Sequence, residues 1–272
     1  MRLSREIIAL GAIALACSNV MADSSAGRES CNGLPSHAEL KNALISAVAS
    51  ESSGLDFDMW GTVVNRDGVV CAVAFSGDDR GAQWPGSRVI SAQKANTANA
   101  FSLNGLALST GNLYSAVQGP TDGNDEKREM PFGGSLYGLQ FSNPVNPDVA
   151  YAGNPKHYGQ ANDPMVGKRP GGVNVFGGGL GLYKNGKIIG AVGVSGDTSC
   201  ADHNIAWRVR NNLHLDQMKG VGGVSGDPSR PDNIVLDKYN GNNDGYTSGW
   251  EQPHCLNNDG GNPLTLPAVQ LN

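Results

Sequence analysis

The 272-residue sequence is poor in charge, histidine and cysteine: charged residues make up 17%, and there are five histidines and five cysteines. Each scarcity excludes something. No C-x-x-C spacing occurs, so neither a cysteine zinc site nor a dithiol motif is written in the chain. None of His37, His157, His203, His214 and His254 forms an H-x-x-x-H or H-E-x-x-H pair, and no G-x-S-x-G elbow is present. Zinc-dependent and serine hydrolases therefore lack their usual signatures. The formal net charge of −5 offers no basic footprint for nucleic acid. No heptad or internal repeat appears. What is abundant is glycine, 38 residues, with 14 prolines, the composition of a loop-rich globular protein rather than a helical bundle.

Met1 to Ala22 has Arg2 and Arg5 ahead of an apolar stretch from Ile7 to Ala16, and it ends in Val20-Met21-Ala22. This order reads as a signal peptide over residues 1–22 with release between Ala22 and Asp23; the apolar stretch is short for a membrane span. Ala14-Leu15-Ala16-Cys17 gives a second reading, a lipoprotein site with Cys17 as the lipidated first residue. Release after Ala22 leaves Cys31, Cys71, Cys200 and Cys255, an even number in an oxidising periplasmic or secreted setting, and hence two disulfides. Four cysteines permit three pairings. Cys31–Cys71 with Cys200–Cys255 is preferred, the first tying the start of the first helix to the first hairpin and the second pinning the C-terminal tail to the last helix.

Ser36 stands three residues before Glu39 in a capping-box pattern, and Leu40, Leu44, Ala47 and Val48 then share one helical face. Trp60–Val64 and Val69–Phe75 read as strands joined by Asn65-Arg66-Asp67-Gly68. The alanine-rich run between Ser87 and Leu103 reads as a helix whose small-residue face can pack closely on a sheet or on a second subunit. Leu180–Lys184 and Lys187–Val194 are strands around a type I′ turn at Asn185-Gly186, and Gly171-Gly172 is read as part of a strand before them. Ser195-Gly196-Asp197 then breaks the strand, and Ile205, Ala206, Val209 and Leu213 mark a last helix. Leu106 to Pro170 is irregular, an ordered covering or binding lid with aromatics such as Phe132, Tyr137 and Tyr151. The expected organisation is one domain over residues 23–213, with an insertion at 106–170 and a C-terminal extension, 214–272, packed on the same domain.

These landmarks, the hairpin Val63 to Gly68, Lys94-Ala95-Asn96-Thr97-Ala98, Gly171-Gly172-Val173, and Gly190 to Gly196 followed by Asp202, resemble the GlcG/HbpS family of haem-binding and haem-degrading-type proteins. The same pattern resembles the C-terminal domain of PduO-type cobalamin adenosyltransferases. The likeness covers roughly Ser36 to Leu213. It implies an α/β (α+β) domain, an antiparallel sheet flanked by helices in a profilin-like layer, that assembles into a symmetric homo-oligomer. It also implies a haem or other tetrapyrrole ligand, with slow degradation of that ligand as a further implication. The long insertion, the four remaining cysteines and the tail depart from the family pattern, which puts the position of the pocket in question.

Haem needs an axial donor and apolar walls, with cations for its propionates. His37 and His203, each at the start of a helix, are the candidate donors, and each also reads as a surface or capping residue, the commoner role. Lys94, Thr97, Gly171, Gly172, Ser195 and Gly196 are the expected lining of the family cavity. There, accessible glycine backbone, free N–H groups at a helix start and a lysine charge suit a propionate or carboxylate. The opposing reading is a solvated Lys94 and a turn that only caps its helix. In the tail, Asn240, Asn242, Asp244, Tyr246 and Glu251 fall at EF-hand-loop spacing for Ca²⁺, with Asn in place of the first Asp and Pro253 where a helix should follow. A plain Asn/Gly turn fits the same residues. Two other functions compete with haem binding: an accessory protein or enzyme that binds a small carboxylate such as a 2-hydroxy acid, and a structural oligomeric interaction module.

Overall fold

The computed structural model describes residues 30–118, 134–237, 249–255 and 266–271; the expected leader, Cys17 and Phe132 lie outside them. Helix α1, His37–Ala49, starts where Ser36 places it: Ser36 Oγ accepts the Glu39 N–H while the Glu39 carboxylate accepts the Ser36 N–H. Strands β1, Trp60–Asn65, and β2, Val70–Phe75, follow as a hairpin whose turn is closed by Gly68 N–H to Asn65 O. Val63 pairs with Ala72 and Val64 with Val70, so Cys71 is the extra residue of a bulge. That bulged cysteine is the one bonded to Cys31, with Cα atoms 5.6 Å apart.

Helix α2, Ser87–Phe101, leads into the insertion, whose described parts hold the short helices α3, Tyr114–Val117, α4, Leu139–Ser142, and α5, Pro147–Ala150. Strand β3, Gly179–Lys184, turns through Asn185 (φ 51°) and Gly186 (φ 73°) into β4, Lys187–Ser195, and helix α6, Ser199–Asn212, follows. The strands form one antiparallel sheet in the order β2-β1-β4-β3.

Alternation of side chains divides the core between the two faces. Val63, Ala72, Leu182 and Val192 pack with α1 and α6, while Trp60, Val64, Val73 and Ala191 pack with α2. Helix α2 lies hard against β4, because a Cβ at Gly193 would collide with the Ser91 and Ala95 backbone. The alanine face of α2 makes that approach possible, with Ala92, Ala95 and Ala98 all fully buried. Among the described residues no helix is long and apolar enough to cross a membrane.

Two sequence expectations are corrected. Ser195 does not lie beyond the strand; it is the last residue of β4, paired with Trp60. Gly171 and Gly172 are not a strand, because both have left-handed φ values, +63° and +83°, which extended chain does not use. Gly171 makes only an isolated bridge to Val145.

Two buried ion pairs fasten the irregular segments to this frame. Arg88 in α2 holds Asp163 of the insertion through two N–H···O contacts, donates to Ala150 O at 2.7 Å and stacks 3.6 Å above Tyr158. Arg210 in α6 holds Asp232 of the tail at 2.6 and 2.9 Å. The tail also runs beside β3, where Tyr183 exchanges hydrogen bonds with Leu215 and Gln217.

Candidate functional site

Lys94, Thr97, Gly172 and Gly196, expected to line one cavity, are each packed against the chain's own groups. Lys94 reaches from α2 across the end of β4, with Nζ 2.6 Å from Asp202 Oδ2 and 3.1 Å from Val194 O, and the residue is 1% exposed. It is neither solvated nor open to a ligand: its charge faces Asp202. Burial pushes the Lys94 ammonium down, against the pull of Asp202, and pushes the Asp202 carboxyl up to about 6, against the pull of Lys94. Thr97 Oγ1 donates to Gln93 O and accepts from Asn174 N–H. A Cβ at Gly172 would strike Gln93, and one at Gly196 the Asp58 and Met59 backbone. Gly171 alone of these glycines has open space beside it.

The helix start after Ser195 is likewise occupied by the chain's own groups. Thr198 Oγ1 caps Ala201 N–H, the Asp202 carboxylate takes Asp197 N–H, and Cys200 N–H points to Cys255 Sγ at 3.0 Å. His203, the fifth residue of α6, is fully buried under the tail. Its Nε2 lies 3.1 Å from both Asn233 Oδ1 and the Ile234 N–H, and Nδ1 has no partner among the described residues. Burial pushes its imidazole down to about 4. His203 is thus a core histidine rather than a surface or capping one.

His37 is placed differently. It stands on the wall of a cavity of about 800 Å³ between the start of α1 and the segment 161–166, with Leu34, Pro35, Pro164 and Val166 as apolar lining and the Cys31–Cys71 bridge at one side. That volume is in the range of small-molecule sites, roughly 300–1,000 Å³. His37 Nε2 is 2.9 Å from Gly159 O. A carbonyl oxygen only accepts, so Nε2 carries the proton and Nδ1 of the neutral ring keeps the lone pair. A histidine held at one nitrogen by a carbonyl has the arrangement in which the other nitrogen is oriented and made more basic as a ligand.

Asp163, also in the lining, accepts Gly159 N–H at 2.7 Å and Met165 N–H at 2.9 Å while Arg88 holds its carboxylate. Sequence reasoning singled out His37 but missed Gly159, Asp163 and Arg88. The one available signal was an arginine on the small-residue helix. No local pattern links it to an aspartate 75 positions away.

For haem, the cavity supplies a nitrogen donor and apolar faces, so the residues present fit the iron and the ring. No lysine or arginine is among its described lining, and Glu39 stands there instead. The propionates would therefore gain no cation from the wall. A second cavity, about 290 Å³, lies at the start of α6 beside Tyr114, Phe176 and Cys255.

The calcium reading finds no support. Asn240, Asn242, Asp244 and Tyr246 lie outside the described residues. Glu251 is 2% exposed and its carboxylate accepts the N–H groups of Gly249 and Trp250. Among the described residues no group of three or more His, Cys, Asp or Glu could hold a metal.

A single α+β layer with a four-stranded antiparallel sheet and a small-molecule-sized cavity at its edge defines the class of this protein. Within that class the chain belongs to the haem degrading protein HbpS-like family, whose family model matches residues 37–210. Among solved structures it is similar to protein ORFY of Klebsiella pneumoniae, at 26% identity over 65% of this chain and 87% of that one, with a TM-score of 0.41. It is also similar to the PduOC protein solved as a haem complex, at 20% identity over 64% of this chain and 89% of that one, with a TM-score of 0.41. No curated protein matches the chain.

Proposed function

We propose that this is an exported, homo-oligomeric protein that binds haem or a related tetrapyrrole in the cavity beside α1, with His37 as donor to the iron. The observation that supports it best is His37 itself, on the wall of a partly apolar cavity of about 800 Å³ with Nε2 tied to Gly159 O. Family membership points to the same ligand class. Two disulfides suit an oxidising compartment. Bound haem would supply a redox-active iron, the chemistry from which slow oxidative loss of the macrocycle would proceed. The chain's own part is to present one imidazole nitrogen, to exclude water with Leu34, Pro164 and Val166, and to hold the segment 161–166 through Asp163.

A small-carboxylate function draws less from the geometry, since the lysine that would bind the carboxylate already faces Asp202 at 2.6 Å. Hemin titration of the oxidised protein, followed at the Soret band, is the test. The expected result is saturable binding that His37→Ala weakens by about tenfold or more, the loss of a donor bond being worth upwards of about 1.4 kcal/mol, with an unchanged far-ultraviolet circular dichroism spectrum. Absence of a saturable Soret change in the parent removes the proposal.

A further inference from the structure

The cavity beside α1 carries a fixed charge. Glu39 lines it together with Ser36, His37 and Asp163. Its side chain is held in place, because Oε2 accepts the Ser36 hydroxyl at 2.7 Å and the Ser36 N–H at 2.8 Å. The bond from the hydroxyl, and then the one from the N–H, hold the Glu39 carboxyl below its ordinary range, so it is ionised at neutral pH.

The neighbouring charges do not offset it. The Asp163 carboxylate is matched by Arg88 in a buried pair. Lys41, the one lysine of α1, stands a turn beyond His37 with Nζ 5.1 Å from the centre of the Phe75 ring, and it is not part of the described lining. Among the described residues no lysine or arginine pairs with Glu39. The described wall therefore presents one uncompensated carboxylate to whatever enters, beside the apolar surface of Leu34, Pro35, Pro164 and Val166.

We infer that Glu39 is the specificity-determining residue of this cavity: it repels a carboxylate-bearing edge, so a macrocycle enters by an apolar edge and leaves its carboxylates toward solvent. This deepens the haem-binding proposal and rests on it. The ligand class follows from the chemistry. A porphyrin with both carboxylates on one side, as in protoporphyrin, has an edge of methyl and vinyl groups to offer to the wall. Coproporphyrin, with one propionate on each of its four pyrroles, has no such edge, and every orientation brings a carboxylate toward Glu39.

The test measures binding of metal-free protoporphyrin and metal-free coproporphyrin by fluorescence, at low salt and at about 0.5 M salt, for the parent, Glu39→Gln and Lys41→Ala. Glutamine at the third helical position closes the same capping box, so Glu39→Gln removes the charge and keeps the helix start; an unchanged circular dichroism spectrum and urea midpoint verify this. The parent should prefer protoporphyrin. At low salt Glu39→Gln should bind coproporphyrin about threefold more tightly than the parent does, the effect of one unit charge about 7 Å away in a largely aqueous setting, while its protoporphyrin affinity stays near the parent value. High salt should erase most of that gain.

A parent that binds the two porphyrins equally overturns the inference, and so does a preference that Glu39→Gln leaves unmoved. A tenfold loss of protoporphyrin affinity in Lys41→Ala also overturns it, since the carboxylates would then be held at the protein. Neither probe contains iron, so the His37 reading is judged separately. Porphyrin binding without a His37-dependent Soret change strikes His37 and leaves Glu39 standing, whereas no binding of either porphyrin removes both.

Discussion

Lys94 shows how one residue can be located correctly and still be given the wrong surroundings. The sequence places it on α2 near the end of β4, where it is, but sequence alone does not reveal that Asp202 of α6 arrives within 2.6 Å of it. A buried pair of this kind is costly to break from one side, by about 3–5 kcal/mol, because the remaining charge is stranded. Lys94→Ala should therefore lower the midpoint of urea unfolding strongly, while Lys94→Met combined with Asp202→Asn recovers most of the loss. The hemin affinity of the folded single variant should stay near the parent value. A tenfold loss of affinity in that variant would instead return the ligand to Lys94.

His203 gives a pH prediction with a definite sign. Burial holds its folded pKa near 4, below the ordinary 6.5, with Asp232 pulling it up and Arg210 and Lys94 pushing it down. Between those values the unfolded chain binds the proton and the folded chain does not, so stability is complete above pH 6.5 and is lost as pH falls toward 4. The loss is on the order of 3 kcal/mol. Asp202, pushed up to about 6 by burial, works in the opposite direction: below pH 3.8 its contribution is intact, and it declines as pH rises through 6. The two are separated by comparing the parent with His203→Gln, in which the Asp202 contribution is retained and cancels. The difference in unfolding free energy between parent and variant should shrink as pH drops from 7 to 4; a difference that does not change with pH contradicts a buried neutral His203.

At the scale of elements, the regular parts were legible because their signals are local. The capping box of α1, the Asn185-Gly186 turn and the alternating apolar runs of β1 and β4 each depend on residues a few positions apart, and each element lies within one or two residues of where its pattern places it. Gly171-Gly172 misled for a local reason too, since glycines beside Val173 look extended until their φ values are known. The insertion was opaque because its order comes from afar: Asp163 gathers Arg88, Gly159 N–H and Met165 N–H into one knot.

That knot predicts a consequence for the cavity. Asp163→Asn keeps the shape but removes the charge opposite Arg88, so backbone amide exchange across residues 158–166 should accelerate about tenfold or more, for a local loss of upwards of about 1.4 kcal/mol. Exchange in the β-sheet should change far less. Equal acceleration in both would show that the insertion is not separately held, and that the cavity wall at 161–166 owes nothing to the ion pair.

For the whole molecule, the sequence gives no direct account of a cavity, because cavities form between elements whose distance apart is set by the complete fold. Two of the five histidines, His37 and His203, read as standing at helix starts; what distinguishes them is only visible once the tail has covered His203 and left His37 beside about 800 Å³ of space. The proposed oligomer belongs to this scale as well. Light scattering of the oxidised protein should give a multiple of the chain mass with closed symmetry, and a monomer at all concentrations would reject the oligomer without touching the His37 cavity, which one chain forms by itself.

The central claim is that His37 is the residue that meets the ligand's metal, and nitrogen NMR of protein labelled at the histidine imidazoles tests it most directly. In the free protein His37 should appear with its proton on Nε2. One equivalent of zinc protoporphyrin, a diamagnetic stand-in for haem, should shift the Nδ1 signal of His37 and leave both ring nitrogens of buried His203 in place. A His37 spectrum unchanged by the porphyrin, with the shift carried by another histidine or by none, would contradict the account.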